Sequence, residues 1–263
     1  KIKFFFEKTK SSIKYLGSVA VIISLSVMFS SLCVMSLLSL SGTLKDAFDE
    51  DPRCSVGGDI AITPIEKTEE SFNLVKNKLE EMKQEGKIKE FTYTSVPYNY
   101  SSYNFGTGKA QYVNLVGYED SRFPLEGVKK ILTPNFSFTE LEKVNDGAVL
   151  SETLVKMENL NIGDPFVIYS SDMYEMHQLK LIGIVDSTSS TAHNIYVNKD
   201  LIKGEKAYTF YADIVGGDFD RVKIEIASAF PEGGEYTIST WDVKGVAENN
   251  TKSSEKVITL IKG

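Results

Sequence analysis

From Tyr15 to Leu40 the chain reads YLGSVAVIISLSVMFSSLCVMSLLSL, 26 residues without one charged side chain. As an α-helix this stretch is about 39 Å long against a hydrocarbon core of roughly 30 Å, so it can cross a bilayer with some tilt. Its serines are compatible with that, because a helical serine hydroxyl can donate to the carbonyl one turn earlier. A cleaved signal peptide is the competing reading, but its apolar part is normally about 7–15 residues long and ends at a small-residue cleavage site. Ser39-Leu40-Ser41-Gly42 imitates such a site behind a run that is too long, and Ser31-Leu32 lacks the small residue a lipoprotein signal places directly before its cysteine, here Cys33. Residues 15–40 are therefore expected to be an uncleaved transmembrane helix.

The flanks set its direction. Residues 1–14 carry five lysines against Glu7, a net +4, so the rest of the chain carries −11 of a formal total of −7. Positive charge stays on the cytoplasmic side of a span, which predicts a cytoplasmic N-terminus and an extracytoplasmic main domain in the cell membrane. The opening IKFFFEKTKSSIKY reads equally as a basic flank or as an interfacial helix on the inner surface.

Composition excludes several classes. With 42% hydrophobic and 25% charged residues in 263, the chain is neither disordered nor of low complexity, and it has room for one large domain or two small ones. The acidic balance argues against nucleic acid as a partner, which needs a basic face. Cys33 lies deep in the span and Cys54 beyond it, so they are not expected to pair. The two histidines, His177 and His193, stand apart from any cysteine or acid cluster of a metal site. Asp46, Asp49, Glu50 and Asp51 lack the glycine and distal glutamate of a calcium loop. Neither Gly86-Lys87 nor Gly108-Lys109 is followed by the Ser or Thr of a P-loop, and no Gly-x-Ser-x-Gly turn supports a hydrolase triad. Glu66, Glu69, Glu70, Glu80 and Glu81 read as acidic helix ends and faces. Asn99, Asn135 and Asn249 open glycosylation acceptor triplets, meaningful only in a eukaryotic secretory route. The expectation is a non-enzyme, with catalytic residues none, cofactor-binding residues none and metal ligands none.

Residues 41–55 read as the exit from the membrane. Val56–Thr63 alternates apolar and polar residues before Pro64, a strand signal. After Thr68, the spacing of Phe72, Val75, Leu79 and Met82 predicts a one-sided helix capped by Thr68 and ended by Gly86. Residues 88–100 and 110–118 read as strands. Between them, Asn99–Gly108 is expected to be a hairpin tip whose exposed aromatics form a partner patch or pack on their own domain. The pattern recurs later. Strand 207–215 precedes a turn at Gly216-Gly217-Asp218, a helix stripe of Phe219, Val222, Ile226 and Ala229, and strand 236–243. Two strand–helix–strand units combine naturally into a ferredoxin-like split βαβ sandwich. Residues 119–204 have short strands, turns and small helices, an inserted, mainly β subdomain. The expected fold is thus α+β. It comprises a basic flank (1–14), a transmembrane helix (15–40), a connector (41–55), a first porter-like segment (56–118), the insertion (119–204), a second porter-like segment (205–245) and a linker helix toward a second span (246–263).

With these pieces placed, the chain resembles the MacB/FtsX-type ABC transporter permeases, including the LolC/LolE-like and YbbP-like branches. Ala148-Val-Leu-Ser-Glu-Thr-Leu-Val-Lys156, followed by Leu160-Asn-Ile-Gly-Asp164, is similar to the family's strand, Ser-Glu, short helix and Gly-Asp segment. Leu181–Val185 looks like a later strand of the same subdomain, Val56–Ile60 like the first strand after the membrane, and Val116–Gly127 like the segment joining the two subdomains. Ser151 is expected to cap the short helix and Gly163-Asp164 to make a turn into Pro165, shaping the fold without chemistry. The resemblance implies a dimeric permease, homo- or heteromeric, that couples ATP hydrolysis on a cytoplasmic ABC ATPase subunit to movement of an outer domain handling a substrate or partner. Two alternatives stay open: the extracytoplasmic sensor of a receptor kinase or chemoreceptor, and an FtsX-like activator of a cell-wall hydrolase.

Overall fold

The computed structural model describes residues 23–33, 35–36, 51–97, 102–110, 112–118, 126–171, 174–216, 218–231 and 234–262. The expectations for residues 1–14, for Asp46, Asp49 and Glu50, and for most of the connector lie outside them. The chain divides into two compact units, Lys1–Asp49 with Asn250–Gly263, and Glu50–Asn249.

In the first unit, residues 23–33 and 35–36 are helical and form α1. Ile23, Leu25, Val27, Met28, Phe29, Leu32 and Met35 are each more than half exposed, and at 100° per residue they cover about two thirds of the circumference, the remaining sector carrying Ser26, Ser30 and Cys33. Ser31 Oγ donates to Val27 O at 2.8 Å, the back-bond expected of a serine in such a helix. Among the described residues no helix is long and apolar enough to cross a membrane. Residues 15–22, 34 and 37–40 of the expected span lie outside them.

The second unit opens with α2 (Pro52–Val56), β1 (Ile60–Pro64), α3 (Glu69–Gln84), β2 (Ile88–Pro97), β3 (Tyr103–Phe105), β4 (Asn114–Tyr118) and β5 (Val128–Ile131). It continues with α4 (Glu140–Lys143), β6 (Gly147–Ser151), α5 (Glu152–Glu158), β7 (Pro165–Ser170), β8 (Met176–Ser187) and β9 (Asn194–Asn198). A single 3-10 turn (Lys199–Leu201), β10 (Lys206–Ile214), α6 (Phe219–Ala229), β11 (Ile238–Asp242) and α7 (Val243–Lys262) complete the chain. The result is mixed α and β around a large mixed sheet in the order β11-β1-β10-β2-β4-β9-β6-β8-β7-β3, with β5 on β8. Pairing is parallel at β4–β9 and β6–β8 and antiparallel elsewhere.

Two-residue periodicity decides what each face of β1, β2 and β10 meets. Ile60, Ile62, Phe91, Phe210, Ala212 and Ile214 point to one side, where they pack with Val75, Leu79 and Met82 of α3 and Val222 and Ile226 of α6. α3 follows its sequence signals closely. Thr68 accepts from Ser71 N, Ser71 reciprocates, and Gly86 takes a φ of 72° just beyond the helix end. The first strand starts later than its alternation suggests, because Asp51 caps a helical turn at Pro52–Val56 and Gly57 closes it at φ 81°.

A second apolar cluster joins Leu115, Ala148, Leu150, Leu154, Leu181, Ile195 and Val197. Of the two expectations for the hairpin tip, Tyr103 and Phe105 follow packing on their own domain. They are 1% and 3% exposed, paired as β3 with β7 and packed in this cluster. On the other side they form a local hairpin, Tyr103 exchanging hydrogen bonds with Val113 and Phe105 N donating to Ala110 O at 3.0 Å around a turn at Gly106–Lys109. Ser151 caps α5 by accepting from Leu154 N at 3.1 Å. Gly163, at φ 95°, and Asp164, whose Oδ2 accepts from Asn161 N at 2.7 Å, turn the chain into β7.

Candidate functional site

Among the described residues, β2 and β4 pair at Thr94↔Tyr118 and Ser95↔Gly117. Past Ser95, β2 continues into Val96 and Pro97, and a proline offers no N–H to a neighbouring strand. The strands separate there, and a cavity of about 240 Å³ occupies the gap. Its floor is the sheet face opposite α3 and α6. Thr94 and Val96 come from β2, Thr209 and Tyr211 from β10, Asn114 and Val116 from β4, Asn194 and Tyr196 from β9. Parallel register sets Asn114 beside Asn194 and Val116 beside Tyr196, and Asn114 Nδ2 donates to Asn194 Oδ1 at 3.1 Å.

Glu126 adds the one acidic side chain. Its neighbour Gly127 is fixed three ways: its N donates to Cys54 O at 2.8 Å, and its O accepts from Thr188 N at 2.7 Å and Thr191 Oγ1 at 3.0 Å. A Cβ on Gly127, which has φ 71°, would lie 2.0 Å from Thr191 Oγ1, so only glycine fits. Gly57 is constrained on the same grounds, as its Cβ would meet Glu126 N at 2.8 Å and Tyr211 Cδ1 at 2.9 Å. This knot aims Glu126 at Tyr211, whose hydroxyl donates to Glu126 Oε2 at 2.9 Å. That hydroxyl has one proton, so the 3.1 Å contact between Thr94 Oγ1 and Tyr211 Oη runs with Thr94 as donor.

Burial pushes the Glu126 carboxyl above its ordinary value, and the bond from Tyr211 only partly offsets it. Burial, reinforced by the charge of Glu126, holds the Tyr196 and Tyr211 phenols protonated. The site therefore offers one carboxyl, hydroxyls and amides, and no nucleophile poised beside a base.

A second cavity of about 320 Å³ shares Pro97 and Leu115 with the first and is lined also by Tyr103, Glu175, His177 and Lys203. Tyr103 Oη donates to Glu175 Oε2 at 2.9 Å, and His177 Nε2 stands 3.6 Å from the same oxygen. Among the described residues no serine or cysteine lines this cavity. His193 lies before β9, where its carbonyl accepts from Asn114 N at 3.0 Å. No cluster of three or more His, Cys, Asp or Glu suited to a metal occurs among the described residues. Cys33 and Cys54 form no disulfide among the described residues. Glu66 is structural, accepting from Thr237 N at 2.7 Å and Thr237 Oγ1 at 2.8 Å. Of the glycosylation acceptors, Asn135 sits exposed in a turn at φ 58° and Asn249 exposed on α7, while Asn99 lies outside the described residues.

Sequence reasoning assigned no site, and Glu126, Tyr196 and Tyr211 escaped it. Glu126 belongs to the Val116–Gly127 segment singled out as a joint, which was the only local signal. Thr94, Tyr196 and Tyr211 meet it through strand order alone.

No protein-family model matches the chain, and no curated protein does. Among solved structures, it is similar to the periplasmic region of MacB from Actinobacillus actinomycetemcomitans, at 14% identity over 77% of this chain and 96% of that one, with a TM-score of 0.49. A domain of a putative permease protein from Porphyromonas gingivalis is similar at 12% identity over 61% and 75%, with a TM-score of 0.39. The extracellular domain of the noncanonic ABC-type transporter YknZ from Gram-positive bacteria is similar at 11% identity over 66% and 89%, with a TM-score of 0.41.

Proposed function

We propose that this chain is the first transmembrane helix and the extracytoplasmic domain of an ABC transporter permease subunit. In this reading it is a dimeric, non-enzymatic protein of the cell membrane whose outer domain is moved by ATP hydrolysis on a partner ATPase. The observation that carries the reading is β6–α5–β7. The residues of the family-like Ala148–Lys156 and Leu160–Asp164 motifs form the strand, the Ser151-capped helix and the Gly163-Asp164 turn the resemblance implies. The order β11-β1-β10-β2, antiparallel throughout, supports a split βαβ porter-like subdomain, interrupted after β2 by the inserted strands. The broad, uncharged apolar surface of α1, with serines and a cysteine filling its remaining sector, supports residues 15–40 as a crossing, since so much exposed apolar surface needs an apolar environment.

Coupling of this kind needs stiff links between membrane and outer domain and an arrangement with two states. α7, 20 residues and about 30 Å long, is one candidate link and the helix through residues 15–40 the other. The test is to isolate native membranes with the chromosomally encoded protein. Retention after a carbonate wash, cleavage of the main domain by protease added outside, and co-purification of an ATP-binding-cassette subunit whose ATPase rate depends on this protein are the expected results. A freely soluble mature protein beginning after residue 40, or a co-purifying histidine kinase or cell-wall hydrolase in place of the ATPase, overturns the assignment.

A further inference from the structure

We propose that the cavity between β2 and β4 binds a small organic ammonium ion, a primary amine on a short apolar body, with Glu126 as its counter-ion. The inference stands on the site's own chemistry and is independent of the transport reading.

Among the described residues, the lining carries one formal charge, that of Glu126, and neither lysine, arginine nor histidine. Tyr211 occupies Glu126 Oε2, whereas among the described residues Oε1 accepts no hydrogen bond and no cationic side chain is paired with the carboxylate. A carboxylate taken from water without a cation is costly, and a cation supplied by a ligand removes that cost. The fold holds it there regardless, through three hydrogen bonds to Gly127 and the close approach of Gly57. A structural acid is normally given a partner, as Lys223 is to Asp242 at 2.5 Å and Arg53 to Asp213 at 2.5 Å.

The remaining walls fit the rest of such a ligand. Thr94 and Thr209 hydroxyls lie on the floor with Glu126 and suit ammonium protons not taken by the carboxylate. Val96, Val116 and the Tyr196 ring supply apolar surface, and the tyrosine ring faces favour a cation further. At about 240 Å³ the space falls below the range usual for drug-sized ligands, which limits the body to a few carbons. Exposed Asn114 marks the mouth. An anion would meet the one charge of the cavity as a repulsion.

The test uses the full chain in detergent micelles, with n-butylammonium, n-butanol and butyrate as probes followed by saturation-transfer NMR. Saturable binding of n-butylammonium is expected, with n-butanol weaker by about tenfold or more and butyrate not bound. Glu126→Gln keeps an acceptor for Tyr211, so it retains the fold, checked by circular dichroism, and weakens n-butylammonium about tenfold while leaving n-butanol unchanged. Asn114→Asp, at the exposed mouth, adds negative charge and tightens n-butylammonium alone. Butyrate or n-butanol binding as well as the amine, either variant acting without regard to probe charge, or no saturation up to roughly 50 mM overturns the proposal.

Discussion

At the residue scale, two carboxylates respond to acid with opposite sign. Glu126 has a folded-state pKa above its unfolded value of 4.5, so between the two the folded chain holds more protons than the unfolded one, and stability falls as pH rises through that window. Glu126→Gln is expected to be more stable than the parent at pH 8, with the difference closing as pH drops to 4.5, read from urea midpoints across pH. Glu66 is the reverse: the amide and hydroxyl of Thr237 lower its pKa, so its contribution is present above 4.5 and is lost as pH falls through the folded value. Glu66→Gln is thus expected to lower the urea midpoint at neutral pH and to match the parent once both are acidified. Gly127→Ala combines φ 71° with a Cβ on top of Thr191. A loss of at least about 2 kcal/mol is expected, measured by equilibrium denaturation.

At the scale of elements, the clearest sequence signals were those whose cause is local. The stripe of α3 and its Thr68 cap, and the serine that caps α5, are short-range hydrogen bonds and periodicities, and the chain carries them openly. Ser151→Ala removes both the cap to Leu154 N and a bond to Ala192 O, so a loss of about 1–2 kcal/mol is expected in the same denaturation assay. β3 was illegible for the complementary reason. Tyr103 and Phe105 sit in a stretch rich in turn residues, and pairing with Ser170 and Ile168 of the distant β7, added to the local contacts with Val113 and Ala110, makes them core. α2, five residues long, is too short to show a period at all. The site around Glu126 belongs to this second class, since four strands bring its walls together.

At the scale of the second unit, one sheet carries separate apolar clusters, one under α3 and α6 and another among β4, β6, β8 and β9. Clusters that share a sheet but few side chains open in separate steps. Leu79→Ala, about 2–5 kcal/mol in cost from its buried position, is expected to raise hydrogen exchange in β1, β2 and β10 while amides of β6 and β8 keep their protection. Uniform loss across all of them would show the clusters to be a single cooperative body.

The opening beyond Ser95 and Gly117 has a mechanical consequence. Past that pair, Val96 and Pro97 of β2 stay on the ladder to β10, opposite Ala207 and Lys206, with no rung to β4 among the described residues. Tension across this end of the boundary starts at an unpaired lip and peels inward from it like a zip, whereas the ladder to β10 resists in shear over its whole length. A molecule wedged into the gap beside that lip acts as a splint.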